Sequence, residues 1–412
     1  MTRRLWPRRD EATAALASGA LLALSFPPFH LLLPPFVALV PWLVFLDRLP
    51  PGAAGRASAL RAGYALGIVY FGSTLYWLFA ALVWYTPIAL AGYLLTVVLL
   101  SGWTAGVAWA VHRARDALGW PLWSTVPVAW TAGEWLQGHL PDVAFPWLGL
   151  GTSLTGFPWL VGAADLVGAR GITFWLVGVN ALAAAIWRAW RTAGRLPRRK
   201  LAAIALACAV PAAYSLARWA TLETRPAGRV AILQPNIPEH LKLEREAAKD
   251  STRRAIASLT ETLPAEPRPD LILWPEVTYP DFLRLSAEWT AWIGAIARQY
   301  GAPVVAGGLD FASYGPDAYD VYNTAFVFGP DGEWVGTYDK RHLVPVVERV
   351  PFVPLDWVRA ARRSWQADAR GLRRVLGEFL AYFGGFGRGA ETPVFAASRL
   401  RFGVLICYES IF

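Results

Sequence analysis

Only two cysteines, one methionine and five histidines occur in the 412 residues. No group of His, Cys or acidic residues has metal-ligand spacing, so neither a structural nor a catalytic metal is expected. No cofactor is expected either. The run Gly384-Gly385-Phe386-Gly387 reads as a loop, not as a phosphate-binding turn. Cys208 lies inside an apolar run and reads as a small buried hydrophobe. Cys407 is then the single thiol of its half of the chain, without a disulfide partner in its own domain and open to a reactive role. Charge is scarce as well. Charged residues make up 17% of the chain against 55% hydrophobic ones, a balance typical of membrane proteins.

The formal net charge of +9 suggests nucleic acid until its position is considered. Residues 1–228 carry 18 Lys and Arg against 8 Asp and Glu, whereas residues 229–412 carry 21 against 22. The excess therefore sits between hydrophobic segments, which fits membrane topology and no phosphate-binding face.

Seven apolar segments precede residue 222, at about 12–27, 29–46, 62–85, 88–111, 118–133, 171–187 and 201–217. Several reach the roughly 20 residues that span a bilayer. The first has no small-residue cleavage site and is followed by further spans, so it reads as retained. Fifteen basic residues fall in alternate loops: Arg3, Arg4, Arg8 and Arg9; Arg48, Arg56 and Arg61; Arg113 and Arg115; and Arg188, Arg191, Arg195, Arg198, Arg199 and Lys200. The opposite loops hold only Arg170 before the seventh span. This asymmetry puts the N-terminus in the cytoplasm and everything after about residue 220 on the far side, which in a bacterium is the periplasm. Trp77, Trp84, Tyr85, Trp120, Trp123, Trp147 and Trp159 cluster near span ends, as interfacial aromatics do. The stretch 138–170 is apolar but broken by Pro and Gly. It reads either as a short re-entrant piece or as a packed outer loop.

The expected domain boundary is at residues 222 and 223. Beyond it, strands at 230–234, 271–274 and 304–307 alternate with helices at 244–263 and 287–300. Residues 322–328 and 334–338 flank Gly329-Pro330-Asp331-Gly332, a hairpin turn. The pattern is a layered α/β domain. An insertion at 355–389 interrupts it. There Leu372, Val375, Leu376, Phe379, Leu380 and Phe383 recur at helical spacing among Arg359, Arg362, Arg363, Arg370, Arg373 and Arg374. Such a helix would lie on an anionic membrane surface as a lid, or pack on the domain with a solvated basic face.

Three chemistry-bearing residues each close an apolar strand-like run. Glu276 follows 271–275, Lys340 follows 333–339 and Cys407 follows 400–406. A carboxylate, an amine and a thiol are the parts of a cysteine-nucleophile acyl-transfer site. In order and placement, Trp274-Pro275-Glu276, Tyr338-Asp339-Lys340-Arg341-His342-Leu343-Val344-Pro345 and Ile406-Cys407-Tyr408-Glu409 resemble the signature blocks of the nitrilase superfamily. With seven spans ahead of them, the chain resembles its membrane-embedded branch, the bacterial apolipoprotein N-acyltransferases. Ser25-Phe26-Pro27-Pro28-Phe29, Phe145-Pro146-Trp147-Leu148, Gln234-Pro235-Asn236-Ile237-Pro238 and Val350-Pro351 match further blocks. Leu243 departs from the family, which can carry tryptophan there.

The resemblance implies a polytopic helical membrane domain plus a nitrilase-like α-β-β-α sandwich, C-terminally incomplete, since relatives continue past the cysteine block with further sandwich elements and a last span. It implies a monomer of the bacterial inner membrane that moves an acyl chain from a phospholipid to the N-terminal diacylglyceryl-cysteine of an apolipoprotein, through an enzyme thioester. Cys407 would be the nucleophile and Glu276 the base. Lys340 would stabilise the oxyanion and favour the thiolate. Glu348 would support catalysis, Tyr408 and Glu409 would handle substrate, and His342 would take a structural or hydrogen-bonding role. Two alternatives stay open: a membrane-tethered amidase with water as acceptor, and an inactive truncated homologue acting as a scaffold. An ion or solute path is disfavoured by spans that are nearly free of charge.

Overall fold

The computed structural model describes residues 7–83, 89–238, 245–315, 318–345, 347–358, 385–397 and 400–411. Two compact units divide the chain, Met1–Glu223 and Thr224–Phe412. Trp84, Tyr85, Leu243 and most of the arginine-rich insertion, residues 359–384, lie outside the described residues.

The seven apolar segments fall on helices α1 (Arg9–Leu24), α2 with α3 (Pro34–Val37 and Val40–Asp47), α4 with α5 (Gly52–Thr74 and Tyr76–Leu82), α6 (Ala89–Leu118), α7 (Leu122–His139), α8 (Ala164–Ala193) and α9 (Arg198–Thr221). Among the described residues, α6, α8 and α9 are long and apolar enough to cross a membrane. The pair α4 and α5, bent by 44°, makes a fourth candidate. At 16 residues α1 is short, and α2 with α3 forms only a short apolar stretch.

Close crossings hold the bundle together. A Cβ on Gly63 of α4 would lie 2.5 Å from the Thr104 carbonyl of α6, so only glycine lets the two backbones meet. Helix α8 breaks at Gly168, where φ is 65° and ψ 179°. The irregular stretch before it forms two 3₁₀ turns, Leu150–Leu154 and Pro158–Leu160. Polar side chains of the helices latch it in place. Tyr70 Oη donates to the Leu148 carbonyl at 2.8 Å, Gln137 Nε2 donates to the Phe145 carbonyl at 2.8 Å, and the Leu150 N–H donates to Glu134 at 2.8 Å. Leu150 and Leu154 are buried in the bundle core. The stretch is an embedded, packed segment rather than a free loop.

The second unit is built on one six-stranded sheet. Its path runs β1 (Val230–Ile232), β2 (Leu271–Leu273), β4 (Val304–Gly315), β5 (Ala318–Phe328) and β6 (Trp334–Asp339), while β3 (Tyr279–Phe282) also pairs with β4. β1, β2 and β4 are parallel; β4, β5 and β6 are antiparallel. Helices α10 (Arg245–Glu261) and α11 (Ala287–Tyr300) follow the expected segments. α11 starts on the Ser286 side chain, which accepts from the Trp289 N–H, and ends on Gly301 in the left-handed region, as N-cap and C′ chemistry require.

The sheet buries both faces. Ile272, Val304, Ala306 and Phe326 share one apolar cluster with Ile256 of α10 and with Ile293 and Ala297 of α11. Leu271, Val305, Ala325 and Val327 face the other way and pack with Phe395 and Ile406. This alternation is what period-two side chains produce. The run 400–406 departs from expectation. Only Leu400–Phe402 (β8) is strand, paired antiparallel with Phe395–Ala397 (β7) in a separate two-stranded sheet. Residues 403–406 are held instead by side-chain burial, with Ile406 in the core and Leu405 exposed.

Candidate active site

Sheet order brings the strand ends together. β2 ends three residues before Glu276, β6 ends immediately before Lys340, and β5 between them carries Asn323. At the Glu276 turn the chain runs against β4. A Cβ on Gly307 would lie 2.3 Å from the Pro275 carbonyl and 2.9 Å from the Glu276 Cα, so a side chain there would displace the carboxylate. Val277, the next residue, has φ of 48°, a costly conformation for a β-branched residue.

The lysine is the centre of the cluster. Lys340 is buried, its side chain 1% exposed, and its Nζ lies 3.2 Å from Glu276 Oε1 and 2.9 Å from Glu348 Oε1. A buried ammonium persists only when it is paired. Two carboxylates outweigh the desolvation that acts against its charge, and hold its pKa above the usual lysine value. An ammonium has three donors, so two are occupied by these carboxylates and one is left over. Glu348 Oε2 accepts the Val344 N–H at 2.8 Å, which fixes that carboxylate to its own turn.

Sequence reasoning missed Asn323. Its Nδ2 donates to Glu276 Oε1 at 2.6 Å and reaches Glu348 Oε1 at 3.3 Å, while its carbonyl accepts the Lys340 N–H at 2.9 Å. The two carboxylates fix which way the amide faces. A signal was present in the sequence: a lone amide within the apolar strand 322–328, one strand away from the lysine.

Cys407 opens a 3₁₀ turn, Cys407–Ile411, with φ of 51°. The left-handed turn lifts the residue out of the preceding run, and Cys407 is exposed. Even so, burial is the largest influence on its thiol, followed by the negative charge of Glu276. Lys340 acts in the opposite direction but is outweighed, and the thiol is pushed up to about 11. Two carboxylates against one ammonium leave the cluster with a net negative charge, which disfavours a thiolate beside it. The charge of Lys340 does act to favour the thiolate, as expected, but burial and the carboxylates together raise the thiol's pKa. Glu276 also raises the thiol's pKa as a hydrogen-bond acceptor, so the carboxylate stands where it can take the proton.

Glu409 is not where a substrate-handling residue would be. It is buried, 2% exposed. Its Oε1 accepts the Arg341 N–H at 2.7 Å and the His342 N–H at 3.0 Å, and its Oε2 accepts the Ile406 N–H at 2.8 Å. Tyr338 Oη donates to both oxygens, at 2.7 and 2.8 Å. With every acceptor position engaged, Glu409 ties the nucleophile turn to the loop after Lys340 and is a positioning residue. Burial and this carboxylate both push the Tyr338 hydroxyl well above the usual tyrosine value, so it stays a donor. Tyr408 is buried too, and burial pushes its hydroxyl up likewise. The His342 imidazole is pushed down, chiefly by burial. Its backbone bond to Glu409 fits the structural role expected of it.

After the insertion the chain rejoins the domain beside this cluster. The Phe386 N–H donates to the Glu348 carbonyl at 3.2 Å, Gly387 N–H to the Val321 carbonyl at 2.7 Å, and Gly389 N–H to the Lys340 carbonyl at 3.0 Å. Residues 386–389 therefore dock on the backbone of Val321, Lys340 and Glu348. Among the described residues no group of His, Cys, Asp and Glu could hold a metal ion.

Two family models cover most of the chain. The apolipoprotein N-acyltransferase N-terminal domain matches residues 18–182, and carbon-nitrogen hydrolase matches residues 229–412. An apolipoprotein N-acyltransferase of Brucella suis is 32% identical over 430 residues, covering 97% of this chain and 74% of that protein. One from Geobacter metallireducens is 28% identical over 418 residues, covering 98% and 74%. A solved CN-hydrolase superfamily protein from Xanthomonas campestris is 19% identical, covers 44% of this chain and 51% of its own, and superposes with a TM-score of 0.25.

Proposed function

The chain belongs to the apolipoprotein N-acyltransferase family, and on that premise we propose that Cys407, Glu276 and Lys340 perform the acyl transfer of lipoprotein maturation. The acyl donor is a phospholipid and the acceptor is the N-terminal diacylglyceryl-cysteine of an apolipoprotein. The observation that carries the reading is the convergence of Glu276 and Glu348 on Lys340 with the Cys407 thiol under their field.

A thiol held near 11 is not ionised at neutral pH, so the nucleophile is not preformed. Glu276 takes the Cys407 proton as the sulfur attacks the ester carbonyl of the phospholipid. The donor of Lys340 that neither carboxylate occupies faces the developing oxyanion, and its fixed charge needs no reorganisation. The tetrahedral intermediate collapses, Glu276 returns the proton to the departing glycerol oxygen, and a thioester remains on Cys407. The lipoprotein amine then attacks the thioester, loses its proton to Glu276 and expels the sulfur, which recovers that proton. Glu348 and Asn323 hold Lys340 and Glu276 in register through both halves.

The chain works as a monomer in the bacterial inner membrane, with its N-terminus in the cytoplasm and residues after about 222 in the periplasm. The alternating basic loops support this orientation. Incubation with phospholipid, followed by intact-mass spectrometry, tests the chemistry. Wild type gains one acyl mass on Cys407, labile to hydroxylamine, and Cys407→Ala gains none. An adduct that survives in Cys407→Ala removes the assignment. Release of free fatty acid without an acylated peptide would make the protein a hydrolase.

A further inference from the structure

At the end of the bundle that carries the basic loops, the helices enclose a cavity of about 400 Å³ between α3, the α6–α7 connection, α8 and the start of α9. It falls within the size range of small-ligand sites, and the proposed reaction does not use it. Its inner wall is apolar and small, with Leu43 of α3 and Ala181 and Ala184 of α8. Its rim is charged. Arg115, Arg188 and Lys200 line it together with one acid, Asp47.

The charges are unequally engaged. Asp47 takes Arg188 at 2.5 Å and Arg115 at 3.5 Å, and Arg115 also donates to the Leu46 carbonyl at 3.0 Å. One carboxylate thus serves two guanidiniums. Lys200 has a long 3.5 Å bond to the Ala185 carbonyl and no carboxylate within ion-pair distance among the described residues. Three cations face one anion, so the rim is two positive charges in excess. Trp120 and Trp123, each 55% exposed, stand at the same mouth, where aromatic side chains sit at the headgroup level.

We propose that this cavity binds the headgroup and glycerol backbone of an anionic phospholipid. The phosphodiester meets Lys200 and Arg188, the glycerol region lies against Leu43 and the α8 alanines, and the acyl chains leave along the outer surface of the helices. A soluble phosphate compound would match the cations but would have no use for the apolar wall or the exposed tryptophans. Basic pockets between spans on the side of the basic loops are where anionic headgroups bind. On the proposed orientation that is the cytoplasmic leaflet. The bound lipid is then a structural or regulatory ligand rather than the acyl donor.

Native mass spectrometry of the full-length, delipidated protein titrated with phosphatidylglycerol, phosphatidylcholine or glycerol 3-phosphate tests the proposal. The first phosphatidylglycerol should bind at least tenfold more tightly than phosphatidylcholine, and glycerol 3-phosphate should not compete at equal concentration. Lys200→Gln should weaken that first binding about fivefold, as expected for one juxtamembrane cation. Asp47→Asn should tighten it, because it frees two guanidiniums; a residue that only holds the fold could not have that effect. Equal affinity for the two lipids, or an unchanged first binding constant in Lys200→Gln, overturns the proposal. Competition by glycerol 3-phosphate would mark a site for soluble phosphates and overturn it too. Should Asp47→Asn fail to fold, the exposed Lys200 variant still decides.

Discussion

Both units bury carboxylates, but they use them differently. In the membrane unit Glu134 accepts from Trp130 Nε1, the Leu150 N–H, Arg170 Nη1 and Thr173 Oγ1. Glu11 is equally engaged, by the Arg8 N–H, Ser58 and both ends of the Arg61 fork. In the second unit Glu409 is saturated in the same way, whereas Glu276 has a side chain 34% exposed and gives Asn323 and Lys340 only its Oε1. A carboxylate whose lone pairs are all engaged is a fastener. One held by a single oxygen beside a thiol can still take a proton. Acceptor saturation therefore separates positioning acids from the proposed base, where burial alone would not.

The sharpest way to break that distinction is Glu276→Gln. Acyl transfer should fall by about 10²–10⁴, the usual contribution of a general base. Yet alkylation of Cys407 by iodoacetamide at pH 8 should become faster. The Glu276 charge holds the thiol's pKa up, so removing it lowers that pKa and enriches the thiolate. A variant that loses both reactivities would show that Glu276 only supports the fold. In wild type the alkylation rate should climb about tenfold per pH unit and level off only near 11. A plateau near pH 8.5 would mean that the cluster does not act on the sulfur.

Lys340→Met comes next. It leaves Glu348 buried without its cation, and should cost about 3–5 kcal/mol as well as activity. Thermal unfolding measures this; a transition within 1–2 °C of wild type would contradict the buried pairing. Glu409→Ala strands the Arg341, His342 and Ile406 N–H groups and should cost roughly 2–3 kcal/mol. Glu409→Gln, which keeps one acceptor oxygen, should cost less and retain part of the activity. Glu134→Gln should have the smallest catalytic effect. It should lower stability by about 1–3 kcal/mol and leave the acyl-adduct yield per folded molecule unchanged. A specific loss of adduct would move Glu134 out of the class of fasteners.

Much of this was legible in the sequence because it rests on local signals. Hydrophobic runs marked the helices, and placement after apolar runs marked Glu276, Lys340 and Cys407. What escaped depends on pairing at a distance. Asn323 finds its partners only when β5 lies beside β6, so its own strand shows a lone amide but not what that amide holds. Glu409 looked like a neighbour of the nucleophile that faces substrate, but its partners lie 67 and 68 residues away in the loop after Lys340. The strand expected over 400–406 stopped at Phe402 because the chain finds no ladder partner beyond the β7–β8 hairpin and is held by buried side chains instead. The tendency of Lys340 to lower the thiol's pKa was foreseen. That burial, and after it Glu276, would outweigh the lysine was not foreseen, because burial of the thiol depends on the folded surroundings.

The Glu409 clamp constrains how an enzyme of this kind can change shape. One carboxylate grips the backbone just before Cys407 and the backbone just after Lys340, which ties the two turns into one jaw. On the proposed mechanism, a lysolipid must leave and a lipoprotein enter between two uses of that jaw. Widening the jaw would break buried hydrogen bonds at the moment the thioester needs shielding from water. Exchange of the two substrates therefore has to be accommodated around the clamp, and the cost of reshaping the mouth is kept separate from the alignment of the reacting atoms.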